Sequence, residues 1–61
     1  MKTNYNCSIY IPAKNINDAL SYLRMRDVKY KLQYNIFTDE HEISASERFS
    51  KILDNCAKRF S

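Results

Sequence analysis

Glycine is absent from all 61 residues, where ordinary usage of about 7% would place roughly four. Phosphate-cradling loops, dinucleotide-binding turns and the strained nucleophile turn of hydrolases depend on glycine, because backbone there must approach a ligand closely or adopt positive φ. Most small-molecule machinery is thereby excluded. Cysteine is nearly as scarce: Cys7 and Cys56 lie far outside any paired zinc or redox spacing. They read as two small hydrophobes on core faces, reduced in the cytoplasm, and neither a metal nor a cofactor is expected. Long apolar runs are missing too. Residues 1–7 hold no apolar stretch to serve as a signal-peptide core, and nothing approaches the length of a membrane span.

What is present suits a single folded domain spanning residues 1–61. The chain is 44% hydrophobic and 28% charged, with five tyrosines and three phenylalanines, too apolar and aromatic for a disordered tail. A domain of about 60 residues buries only about 60% of the surface its unfolded chain exposes. Its core is thin and leaves little volume for an enclosed substrate pocket, so a binding surface is expected rather than an enzyme. The net charge of +3 conceals a segregation. Lys2, Lys14, Arg24, Arg26, Lys29 and Lys31 face only Asp18 and Asp27 in the first half, whereas residues 32–47 carry Asp39, Glu40, Glu42 and Glu47 and no basic residue. Arg48, Lys51, Lys58 and Arg59 follow.

Tyr5, Cys7, Ile9 and Ile11 alternate with Asn4, Asn6, Ser8 and Tyr10, the period of a half-buried strand. Pro12 is expected to end it, since proline cannot donate to a ladder. From Asn15 the period changes. Ile16, Ala19, Leu20 and Leu23 fall at i, i+3, i+4 and i+7 of a helix, with Asn15 as its expected N-cap and Arg24 and Arg26 in its last turn. Val28, Tyr30, Leu32, Tyr34 and Ile36 then alternate with Lys29, Lys31, Gln33, Asn35 and Phe37, which predicts a second strand with its apolar set facing the core. Thr38 to Glu42 reads as a charged turn. Ser44-Ala45-Ser46-Glu47 has the form of a capping box opening a helix whose stripe is Ala45, Phe49, Ile52, Leu53, Cys56 and Phe60.

The expected architecture is therefore α+β: a compact β-α-β-α domain with a two-stranded sheet packed on one face by two amphipathic helices. Strand direction stays open, as does a short third strand in which Glu42 and Ile43 pair back near Phe37. A two-stranded sheet is marginal in water and its open edges invite another chain. Either a homodimer joined edge to edge, or β-augmentation of a partner protein by residues 28–37, would extend it. The uncovered face is expected to display Asn4, Asn6, Ser8 and Tyr10 beside Lys29, Lys31, Gln33 and Asn35. Tyrosine and arginine dominate interface hot spots, which adds Tyr22, Arg24 and Arg26 to Tyr10, Lys29, Lys31, Gln33 and Asn35 as candidate partner-binding residues.

A nucleic-acid alternative rests on the run from Tyr22 to Lys31, where Arg24, Arg26, Lys29 and Lys31 are interleaved with Tyr22 and Tyr30. Tyr30, on the apolar register, is expected to face the core and be lost as a stacking platform. His41 is the only histidine and sits among acidic residues. The plain reading is a solvated turn whose substitution changes no function, with Ser44 as a helix cap rather than a nucleophile.

In size, composition and element order the chain resembles small phage-encoded inhibitor proteins, the Dmd-type antitoxins and the anti-CRISPR proteins. The resemblance covers most of the chain in pattern and carries no residue-level motif. It implies a cytoplasmic protein of an infected bacterial cell that blocks a host nuclease, toxin or defence effector by occlusion, without chemistry of its own. A small dimeric nucleic-acid-binding or regulatory protein is the alternative.

Overall fold

The computed structural model describes residues 5–61; Lys2 and Asn4, which enter the sequence reading above, lie outside them. Strand β1 (Cys7–Pro12) leads through a 3-10 turn (Ala13–Asn15) into helix α1 (Ile16–Met25). Strands β2 (Tyr30–Asn35) and β3 (Glu40–Ala45) form a hairpin, and a second 3-10 turn (Glu47–Phe49) opens helix α2 (Ser50–Phe60). The α+β class and both helices are as expected. The sheet is not: it has three strands in the order β1-β3-β2, and both pairings are antiparallel.

β3 forms from residues read above as a charged turn and a capping box. Its sequence, Glu-His-Glu-Ile-Ser-Ala, does alternate, but with His41, Ile43 and Ala45 on one face and Glu40, Glu42 and Ser44 on the other. A sheet solvated on one side accepts such a central strand, because the charged face never leaves water. Ser44 and Ala45 are thus strand residues. Ser46 flanks the second 3-10 turn without a side-chain capping bond, and α2 starts only at Ser50.

β1 and β2 run parallel to each other without touching, one on each side of β3. Pro12 is the last residue of β1, tolerated because β1 is an edge strand. α2 packs on β1 and on α1, whereas β2 is held mainly through β3. The core accordingly centres on Ile9, Ile11, Leu23, Ile43, Leu53 and Cys56. Cys56 is buried and Cys7 half-buried, and both are free thiols. Burial pushes the Cys56 thiol above its usual range, with the charge of Arg26 opposing in part. The expected capping bond of Asn15 is not made. Its side-chain N–H instead donates to the Phe60 carbonyl at 2.8 Å, tying the start of α1 to a carbonyl that the end of α2 leaves open.

Expected core residues of the second strand are only partly covered. Val28 is buried and Tyr30 half-buried, but Leu32 is 41% and Tyr34 47% exposed, and Ile36 lies outside the strand at 71%. The buried residues of the two helices, Ala19, Leu20, Leu23, Leu53 and Cys56, cover Ile9 and Ile11 of β1 and Ile43 and Ala45 of β3, and the distal half of β2 projects beyond this cover.

Without glycine the described residues still include two positive-φ turns, at Asp27 (56°) and Asp39 (55°). Aspartate tolerates this region better than most residues. At the end of α1 the Val28 N–H donates to the Leu23 carbonyl (3.1 Å) and the Asp27 N–H to the Arg24 carbonyl (3.0 Å). This is a Schellman closure, with Leu23 and Val28 both buried as its apolar contact. Glycine suits that position better. Asp27→Gly is expected to raise unfolding stability by about 0.5–1 kcal/mol and Asp27→Val to lower it by about 1–2 kcal/mol, measured by urea denaturation.

Candidate functional site

Seven of the eight candidate partner-binding residues fall into two groups on opposite sides of the sheet, and Lys29 lies in the link between α1 and β2. Tyr10 of β1 and Lys31, Gln33 and Asn35 of β2 share the open face, as expected, but β3 runs between them. Three rungs cross that face: Ser8–Ser44–Lys31, Tyr10–Glu42–Gln33 and Pro12–Glu40–Asn35. The Ser8 and Ser44 hydroxyls are 3.0 Å apart, and the Tyr10 hydroxyl donates to Glu42 Oε2 at 3.4 Å. The open face therefore grades from lysine at one end to two glutamates at the other.

Tyr22, Arg24 and Arg26 belong to the helical side. Tyr22 is half-buried, with the Arg26 guanidinium 3.7 Å from its ring centroid and the Phe60 ring edge-on at 5.6 Å. Arg26 also donates to the Tyr22 carbonyl at 3.3 Å. Both side chains are engaged in closing the end of α1. Arg24, Lys29 and Lys31 are exposed, and Tyr30 packs against the core.

The most exposed apolar residues near the sheet lie elsewhere. Residues 36–39 link β2 to β3 and present Ile36 and Phe37, the latter 92% exposed. An Asx turn, in which the Phe37 N–H donates to Asn35 Oδ1 at 2.9 Å, sets the direction of this tip. The Ala13 N–H, donating to the Asp39 carbonyl at 3.0 Å, ties it to the end of β1. Among the residues lining a cavity of about 320 Å³ on the open face are Tyr10, Gln33, Asn35, Ile36, Phe37 and Glu42. Sequence reasoning missed Ile36, Phe37 and Glu42 as site residues. The available signal was the pair Ile36-Phe37, since two adjacent apolar residues cannot both face the core of a strand.

On the helical side of the same hairpin, Tyr34 and His41 pack with ring centroids 4.9 Å apart. His41 is a half-buried strand residue rather than part of a solvated turn, and its Nδ1 is buried with no hydrogen-bond partner among the described residues. The Tyr34 hydroxyl donates to Asp39 Oδ1 at 2.7 Å. That bond, with some desolvation and the nearby negative charge, raises the phenol above its ordinary value. Among the described residues no group of three or more His, Cys, Asp or Glu side chains is placed to hold a metal ion. Among the same residues no helix is long and apolar enough to cross a membrane.

Two measurements check this region. His41→Phe keeps a ring against Tyr34 and removes an unsatisfied buried polar atom, so it is expected to raise stability by about 1 kcal/mol in thermal or urea unfolding. A loss instead would show that the unpartnered Nδ1 is not the dominant cost at this position. A raised Tyr34 pKa means that the neutral phenol is favoured in the fold: the contribution is present below the ordinary value near 10 and is lost as pH rises through the folded one. Asp39→Asn is expected to move Tyr34 back down toward that value, followed by phenolate absorbance. No family model, curated protein or solved structure matches this chain, which leaves the surface itself to carry the functional reading.

Proposed function

We propose that the chain is a non-enzymatic protein-binding module of the bacterial cytoplasm, an inhibitor or antitoxin that occludes the working surface of a toxin or defence enzyme. The observation that carries this reading is the set Leu32, Tyr34, Ile36 and Phe37, all exposed along and beyond a sheet edge that no other strand among the described residues pairs. An edge strand offers a row of backbone donors and acceptors to another chain, and adjoining exposed apolar side chains supply the area that a stable contact buries. Lys29 and Lys31 lie exposed at the start of the same edge.

The nucleic-acid reading has less support. Of its two tyrosines, Tyr22 already holds Arg26 on its ring and Tyr30 packs on the core, which leaves the basic residues without a free stacking platform beside them.

The test is affinity capture by the tagged full chain from a bacterial lysate at moderate salt, with and without nuclease, followed by activity assay of the captured protein. One nuclease-resistant partner in near-stoichiometric amount, inhibited by added chain, is expected. The double variant Leu32→Asp, Phe37→Asp is expected to weaken that contact by about thirtyfold or more, while Arg24→Glu leaves it nearly unchanged. Recovery that vanishes on nuclease treatment would overturn the reading in favour of nucleic acid.

A further inference from the structure

The cavity beside the hairpin tip has a chemistry at odds with the chain's net charge of +3. None of its lining residues is basic. Glu42 stands at the centre of the rung Tyr10–Glu42–Gln33, and Glu40 occupies the next rung toward the hairpin on the same face. Tyr10 donates to only one Glu42 oxygen, over a long 3.4 Å, so the carboxylate retains accepting capacity. Asn35 spends its carbonyl oxygen on the Phe37 N–H at 2.9 Å, which holds the exposed Phe37 beside the cavity. The Gln33 amide lies across from the carboxylate. At about 320 Å³ the space sits at the small end of ligand cavities, about 300–1,000 Å³. It suits one side chain better than a cofactor.

Resting on the protein-binding reading above, we infer that this cavity accepts an arginine side chain of the partner protein. A carboxylate next to aromatic rings selects a planar, weakly hydrated cation that can hydrogen-bond in its plane and stack on its face. Lysine, a compact and strongly hydrated charge, gains less there. The molecule's own arginines do not fill the cavity: Arg26 stands on Tyr22 at 3.7 Å, Arg48 on Phe49 at 4.7 Å and Arg59 near Phe60 at 5.8 Å, and Arg24 belongs to α1 on the other side of the sheet. Glu42 and Phe37 thus set specificity, while the β2 edge contributes backbone pairing.

The experiment is a titration of the isotope-labelled full chain with three blocked tripeptides, Gly-Arg-Gly, Gly-Lys-Gly and the uncharged citrulline analogue, followed by amide chemical shifts. Saturable shifts confined to Tyr10, Gln33, Phe37 and Glu42 are expected with the arginine peptide, weaker ones with lysine and none with citrulline. Glu42→Gln is expected to weaken binding about tenfold, and Phe37→Ala measurably, with the remaining amide spectrum unchanged as evidence of an intact fold. Equal responses to arginine and citrulline, or shifts located elsewhere, would overturn the inference. So would concentration-dependent self-association that Glu42→Gln abolishes, since the occupant would then be a second copy. Glu42→Gln is also compared in the lysate capture. A partner held equally well by wild type and variant leaves the protein-binding reading standing and removes the arginine pocket; no partner at all defeats the reading, and the peptide titration still decides the pocket.

Discussion

The structure depends on β3 pairing with both of its neighbours. β1 and β2 meet only through it, so its backbone groups hold the first and second halves of the sheet together, and both edges of the domain are set by what it leaves unpaired. β3 does this with a sequence poor in β-forming residues, three of its six being Glu40, His41 and Glu42. Ladder hydrogen bonds on both sides, and the burial of Ile43 and Ala45 beneath the helices, outweigh weak local preference. Strand propensity is context-dependent for this reason: it measures fit to neighbours more than the backbone's own inclination.

From the central strand the uneven cover of the sheet follows. The return from β3 carries α2 onto β1, where it packs against α1, and a core of this size cannot extend a helical layer over three strands. β2 takes the consequence. Its inner residues Leu32 and Tyr34 remain exposed beside an unpaired edge, and the hairpin beyond it carries Ile36 and Phe37 into solvent. The same hairpin places Glu42 opposite Gln33 and brings Phe37 to the same cavity. An apolar edge and an acidic, aromatic depression thus adjoin on one element. Adjacency of this kind lets backbone pairing and side-chain recognition act on one partner at once.

Legibility varied by element for physical reasons. The stripes of α1 and α2 announced both helices, because helical spacing is a local property: Leu20, Leu23, Leu53 and Cys56 are buried as their spacing required. β1 was equally plain from the alternation of Ile9 and Ile11. The glycine-free composition did not forbid positive φ, since Asp27 and Asp39 supply it at two turns. β3 was misread because charge density in a short segment looks alike in a solvated turn and in a strand with one wet face. Of the candidate site, Tyr10, Gln33 and Asn35 were found from their polar register on half-buried strands, and all three line the cavity. Glu42 and Phe37 were not, since the first was assigned to a turn and the second was counted as an outward residue without consequence.

By itself the sequence determined that two helices form, which residues of their shared stripes face inward, though not where the second one begins, that the charges are segregated along the chain, and that one thin core must suffice. These are consequences of short-range periodicity and composition. The tertiary structure alone decided that β3 inserts between β1 and β2, that β2 becomes an uncovered edge, and that Tyr10, Glu42 and Gln33 form one rung. Those outcomes depend on hydrogen bonds between strands distant in sequence and on the area that two short helices can cover. Neither leaves a trace in the local pattern, because the same alternation serves a buried strand, an edge strand or a central one.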